Sequence, residues 1–200
     1  MMTHREALEV LFEYRGDRVV VTTMGSVPIW PDLSDTPLDF AYLPSSMGQA
    51  VPLALGIALA QPRRGVVVVT GDGGLLMNLG CLVTLAQHDV GVYVVLIDNG
   101  LYEVTGGQPV AGAGRTDFAG IARAAGIARV ASFDSAEGWR EGAAEWLSGP
   151  GPAFVSLRVR GVRGQKTPSA PRPMAEQIAR LRAAIGSPVT PSLSTPSPAS

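Results

Sequence analysis

The residues whose chemistry is most readable are Asp72 and Asn99, set 27 positions apart. Each follows an apolar, largely β-branched run: Val66–Val69 precedes Thr70-Gly71-Asp72-Gly73-Gly74, and Val92–Ile97 precedes Asp98-Asn99-Gly100. Asp72 offers a carboxylate oxygen and Asn99 an amide oxygen, while the irregular backbone after Asn99 can turn a carbonyl inward. Hard oxygen donors of this kind suit magnesium, which keeps octahedral geometry and is usually shared with phosphate groups. Glycines at 71, 73 and 74 let the backbone approach a phosphate closely, and the start of a following helix favours an anion. The pattern reads as an anchor for a divalent cation and a diphosphate.

Elements that place these groups can be read around them. A helix-like stretch from Leu75 to His88 lies between the two apolar runs, making a strand–helix–strand crossover whose strands run parallel. Both polar tips then sit side by side at the carboxyl edge of a parallel sheet, where ligands of such sheets bind. Residues 3–14 put Ala7, Leu8, Leu11 and Phe12 on one helical face, and Arg18–Thr23 reads as a buried strand closed by Met24-Gly25. Ser26–Pro37, rich in Pro, Ser and Asp, reads as a loop or short irregular helix, in which Trp30 is read as a packed aromatic rather than the cap of a pocket. Phe40–Leu43 is a short strand leading through Pro44-Ser45-Ser46-Met47-Gly48 into a helix over Gln49–Ala60, where Pro52 falls early enough to be tolerated. After Asn99 the glycine-rich stretch Gly100–Pro109 shows neither strand nor helix period and reads as a loop beside the cation edge.

Farther along, a helix over Asp117–Ala125 is expected to be capped near Thr116, with a strand over Ala128–Ser132. A helix over Ser135–Leu147 has Trp139 and Trp146 as core anchors, and Ala153–Val159 is a final apolar strand. Alternating strands and helices predict an α/β fold, a doubly wound, mostly parallel sheet with helices on both faces. The expected organisation is one domain over residues 1–160, then a linker and a last amphipathic helix over 161–185, and a disordered Ser/Pro/Thr-rich tail over 186–200.

Composition narrows the class. At 46% hydrophobic content, 200 residues can bury a sizeable core as one α/β domain. A net charge of −1 with both signs mixed argues against nucleic acid or a membrane surface as partner. No apolar run reaches the length of a membrane span, Val51–Ala60 being too short, and the first residues are unlike a secretory signal. A soluble, cytoplasmic protein is expected. The single cysteine, Cys81, cannot build a disulfide framework or a metal cluster, and sits among leucines as a buried apolar residue.

Gly71-Asp72-Gly73, followed at this distance by an Asn-bearing turn, resembles the signature of thiamine diphosphate-dependent enzymes, and the gap is that of their decarboxylase branch. The resemblance implies thiamine diphosphate and Mg2+ as cofactors, with Asp72 and Asn99 as side-chain metal ligands and Leu101 giving its backbone carbonyl. Asp98 stands where many members carry a first asparagine, a position that is not a ligand. The Ser45-Ser46-Met47 loop would hold the other end of the cofactor: Met47 as the apolar residue beneath it that forces a bent conformation, and Ser45 through its carbonyl, accepting from the aminopyrimidine amino group. Cofactor-binding positions implied in all are Ser45, Ser46, Met47, Gly71, Asp72, Gly73, Gly74, Asn99, Leu101 and Tyr102. The run Asn99-Gly100, Tyr102-Glu103 and Thr105-Gly106-Gly107-Gln108 is similar to the decarboxylases of phosphonopyruvate and sulfopyruvate. For Tyr102 and Glu103 both a solvated loop and contact with substrate or cofactor stay open.

In that family the glutamate that activates the cofactor lies on a second, pyrimidine-binding domain, and Glu103 is not that residue. The resemblance covers about residues 1–160 and leaves no space for such a domain. It therefore implies a β subunit whose α subunit binds the pyrimidine, in an α2β2 assembly acting on a small 2-oxo acid. Alternatives are an acetolactate-synthase-like carboligase subunit, a 2-oxoacid oxidoreductase β subunit, a dinucleotide-binding protein and a non-catalytic cofactor-binding subunit. Cys81 alone disfavours the oxidoreductase, which normally brings cluster cysteines. Leu76 occupies the last glycine position of a G-x-G-x-x-G, which disfavours the dinucleotide reading. Arg115 is the basic residue nearest the motif in sequence that could read a substrate anion, against a plain surface charge.

Overall fold

Valine-rich runs can be buried on both sides only where helices cover both faces of a sheet. In the computed structural model, which describes residues 1–186, this is their arrangement. In chain order the elements are α1 (His4–Tyr14), β1 (Val19–Thr22), α2 (Trp30–Leu33), β2 (Asp39–Ala41), α3 (Ala50–Ala60), β3 (Val66–Gly71), α4 (Asp72–Leu76) and α5 (Gly80–Leu85). They continue with β4 (Val92–Asp98), β5 (Leu101–Tyr102), β6 (Gln108–Pro109), α6 (Phe118–Ala124), β7 (Arg129–Phe133), α7 (Ala136–Ser148), β8 (Ala153–Arg158) and α8 (Met174–Ile185).

Six strands form one sheet in the order β2-β1-β3-β4-β8-β7, every pair parallel. The chain winds one way from β1 to β2 and the other way from β3 to β4, so the switch point lies between β1 and β3. Alternate residues feed the two layers. Val19, Val21, Val66, Val68, Val92 and Val94 pack with α3, α5 and α6 on one face. On the other, Val20, Val67, Val69, Val95 and Ile97 pack with α1, Trp30 and α7. Trp139 is fully buried and donates from Nε1 to the Ala7 carbonyl at 3.1 Å, tying α7 to α1. Trp146 lies edge-on to it at 5.7 Å.

The sequence reading needs correction in three places. The single helix expected over Leu75–His88 is two short helices, α4 and α5, separated by a turn at Met77-Asn78-Leu79. The cap of α6 is Asp117, whose carboxylate accepts from Gly120 N, rather than Thr116. The Gly100–Pro109 loop contains a small antiparallel ladder, β5 with β6. The Ser26–Pro37 stretch, read as a loop or short helix, holds the helix α2, in which Trp30 is buried and donates to Asp39 at 2.8 Å. At the other end of the chain, α8 covers the β2 edge, where Gln177 accepts from Ala41 N at 2.8 Å. Except for Gly186, which ends α8, the expected tail lies outside the described residues. Among the described residues no helix is long and apolar enough to cross a membrane.

Candidate functional site

Register decides what meets at the carboxyl edge. Gly71 pairs with Ile97 across β3 and β4, so Asp72 and Asp98 emerge as neighbours and Asn99 stands one residue farther out. Asp72 is 2% exposed and heads α4. One carboxylate oxygen accepts from Gly73 N at 2.8 Å and the other from Gly100 N at 2.7 Å. The second of these lashes the tips of β3 and β4 together. Asn99 turns back on itself, its Oδ1 accepting from Leu101 N at 2.9 Å, which begins the β5 corner. Asp98 is buried and pairs with Arg158 at 3.3 Å.

Among the described residues no basic side chain forms an ion pair with Asp72. Burial, with a smaller push from Asp98, raises its pKa to about 6 against the opposing backbone bonds from Gly73 and Gly100. A buried carboxylate without a cation is an unmatched charge, and a divalent ion is the partner that would keep it ionised. Among the described residues no group of three His, Cys, Asp or Glu side chains gathers. An ion here would take one carboxylate, the Asn99 amide oxygen and backbone or phosphate oxygens, a set that fits magnesium.

A cavity opens over this edge, at the switch point between β1 and β3. Its walls include Ser45, Ser46 and Met47 after β2, the Met24–Ser26 turn after β1, Gly71–Gly74, Asn99, and Leu101–Thr105. All ten sequence-predicted positions line this one cavity. Gly73 has a steric role that its motif does not reveal: a methyl there would meet the Tyr102 ring at 2.3 Å. Gly48, with φ +82°, closes the Ser45–Gly48 loop in the left-handed region, and its carbonyl accepts from Asn78 Nδ2 at 3.2 Å. Asn78, in the turn between α4 and α5, therefore pins the loop carrying Met47.

Three further residues shape the cavity, and of these the sequence singles out only Glu103. His4, at the start of α1, reaches the cavity wall and shares a 2.9 Å hydrogen bond between Nε2 and Ser26 Oγ. Glu103 lines the cavity and accepts from Val162 N at 2.7 Å, so the stretch after β8 straps the loop. Asn78 has just been described. His4 and Asn78 carry no local signal, because their partners lie 22 and 30 residues away. Arg115, by contrast, does not reach this cavity. It lines a separate polar groove at the ends of β4, β8 and β7, with Arg158 and Ser156. Cys81 is buried and its thiol is pushed up to about 11 by that burial, in keeping with a packing residue.

Fold and site together define a parallel α/β domain with a buried carboxylate and a glycine-rich turn lining a cavity at its switch point. Residues 29–157 match the family model described as thiamine pyrophosphate enzyme, C-terminal TPP binding domain, and the chain belongs to that family. Phosphonopyruvate decarboxylase of Streptomyces viridochromogenes is 38% identical over 161 residues, covering 79% of this chain and 40% of that protein. Sulfopyruvate decarboxylase subunit beta of Methanococcus maripaludis is 30% identical over 162 residues, covering 80% of this chain and 85% of that subunit. A solved structure described as a thiamin diphosphate-dependent enzyme from Mycobacterium smegmatis superposes with a TM-score of 0.68 at 27% identity, covering 80% of this chain and 32% of that one. The chain thus spans less than half of the Streptomyces enzyme but most of the archaeal subunit.

Proposed function

We propose that this chain is the diphosphate-binding β subunit of a thiamine diphosphate- and Mg2+-dependent 2-oxo acid decarboxylase, acting on an anionic 3-substituted pyruvate of the phosphonopyruvate or sulfopyruvate type. The observation that carries the reading is Asp72, buried without a basic partner and locked beside Asn99 by the β3–β4 register. In this reading Asp72, Asn99 and the Leu101 carbonyl hold the metal. Gly71, Gly73 and Gly74 cradle the diphosphate, and Ser45, Ser46, Met47 and Tyr102 meet the rest of the cofactor. When bound, thiamine diphosphate supplies a nucleophilic carbon and an electron sink for the carbon–carbon bond that breaks. The chain's own residues fix the anionic end, orient the molecule through the Met47 loop and exclude water beneath Tyr102.

A partner chain belongs to the same proposal. Coverage of 85% of a relative named subunit beta supports a split enzyme. So does the surface: α3 is apolar all round, and Leu59, Met77 and Val83 on and beside α3 and α5 are 51–53% exposed. That apolar face flanks the Met47 loop, where an α subunit with the pyrimidine-binding domain would complete the site in an α2β2 assembly.

The test is calorimetric titration of the purified chain with Mg2+ and thiamine diphosphate. Binding is expected for wild type and loss of Mg2+-dependent binding for Asp72→Ala, with an unchanged circular dichroism spectrum; equal affinity would overturn the metal assignment. Decarboxylation is expected only after the partner chain is added, and robust turnover by this chain alone would refute the split-enzyme reading.

A further inference from the structure

The cavity wall holds one imidazole that the reading above does not use. Met24, at the head of the turn after β1, has φ +36°, a conformation uncommon for a residue with a side chain, so other contacts must hold the turn in place. Thr23 Oγ1 donates to the Val69 carbonyl at 3.1 Å, fixing one end of the turn to β3 just before the glycine cradle. Ser26, buried and bonded to His4 Nε2 at 2.9 Å, fixes the other end to α1. Gly25 lies between them under the imidazole: a methyl there would stand 3.2 Å from His4 Cε1 and 3.6 Å from Glu103 Oε2. The absence of a side chain at Gly25 is thus what lets His4 close over the turn.

We propose that His4 is a positioning residue for the cofactor's terminal phosphate, acting through Ser26 to hold the Met24–Ser26 turn against the diphosphate end of the cavity. Three observations support it. The turn follows β1, which lies between β2 and β3, and the Thr23 bond to Val69 ties it to the β3 side, just before the Gly71–Gly74 cradle. His4 and Ser26 both line the cavity, so the bonded pair faces the ligand instead of the core. Finally, enclosure lowers the His4 pKa to about 4, so the ring is neutral at physiological pH and acts as a hydrogen-bonding strut rather than a counter-charge.

The inference rests on the thiamine diphosphate reading, and the experiment separates the two. Calorimetry with Mg2+ compares thiamine diphosphate and thiamine monophosphate on wild type, His4→Ala, His4→Gln, Ser26→Ala and the double variant His4→Ala/Ser26→Ala. Expected is about a tenfold loss for thiamine diphosphate in His4→Ala and in Ser26→Ala, the size of one ligand-facing hydrogen bond, with little change for the monophosphate. The double variant should lose no more than either single one, since both break the same strut. His4→Gln, which keeps a nitrogen donor, should recover most of the loss. Wild-type affinity in His4→Ala, equal losses for both ligands, or no recovery in His4→Gln would each overturn the inference alone. If wild type bound neither ligand, the thiamine diphosphate reading would fall and this inference with it. Circular dichroism and melting curves exclude unfolding, and Ser26→Ala and His4→Gln keep the test decisive if His4→Ala does not fold.

Discussion

As a metal ligand, Asp72 would make binding pH-dependent over a higher pH range than an ordinary surface carboxylate does. Its pKa in the folded chain is raised to about 6, burial being the main cause, against 3.8 for the free group. A raised folded pKa means that the stability linked to Asp72 is fully present below about pH 4 and is lost as pH rises through about 6. At neutral pH the ligand-free chain therefore carries an ionised, unpaired carboxylate, at a cost of order 2–3 kcal/mol. A bound divalent ion removes that cost, and protons compete with it. With a pKa of about 6 the carboxyl is roughly nine-tenths protonated at pH 5, so magnesium affinity should fall about tenfold (~1.4 kcal/mol) between pH 7.5 and pH 5. The assay is calorimetric titration of Mg2+ in the presence of thiamine diphosphate across that range, on wild type and on Asp72→Asn. Titration of the cofactor's own phosphate and of His4 is common to both proteins, so the difference between the two profiles isolates Asp72. Asp72→Asn should bind more weakly throughout and lack the extra tenfold dependence. Parallel profiles, or wild-type affinity that does not fall toward pH 5, would refute the assignment of Asp72 as an ionised ligand.

Two further outcomes test the frame around the site. In Gly73→Ala the new methyl would stand 2.3 Å from Tyr102 Cε1, so the ring must swing out while the methyl enters the cradle. Cofactor affinity should drop at least about tenfold with under about 1 kcal/mol of stability change, since alanine favours α4; an unaltered calorimetric affinity would count against the cradle. Trp139→Ala empties a fully buried site between Phe133 and Trp146, and removes the donor to the Ala7 carbonyl. A loss of about 3–5 kcal/mol is expected, lowering the melting temperature by roughly 10 °C or more; a shift of only a degree or two in thermal melts would show that α1 and α7 are not coupled through that ring.

How far the sequence foretold this molecule depends on where each residue's partner lies. The sheet, its parallel strands and its two helical layers were readable because fully apolar valine runs alternating with helical periods have few other solutions. The Asp72–Asn99 pairing was readable for the same reason: a strand–helix–strand crossover brings consecutive strand tips together whatever the helix between them does. The helix between them was misread. Leu75, Leu76, Leu79, Leu82 and Val83 keep a helical apolar pattern straight through the break, which falls where Asn78 bonds to a carbonyl 30 residues earlier. His4 was hidden in the same way, as a helix-opening residue with Thr3 as an ordinary cap before it. Its contact with Ser26 exists only because α1 packs on the face opposite α3 and brings its first turn to the carboxyl edge. Local pattern thus specified the oxygen donors, and tertiary packing specified the residues that hold them still. Motifs alone find Asp72 and Asn99 and miss two long-range contacts beside them, Asn78 on the Met47 loop and His4 over the Met24–Ser26 turn.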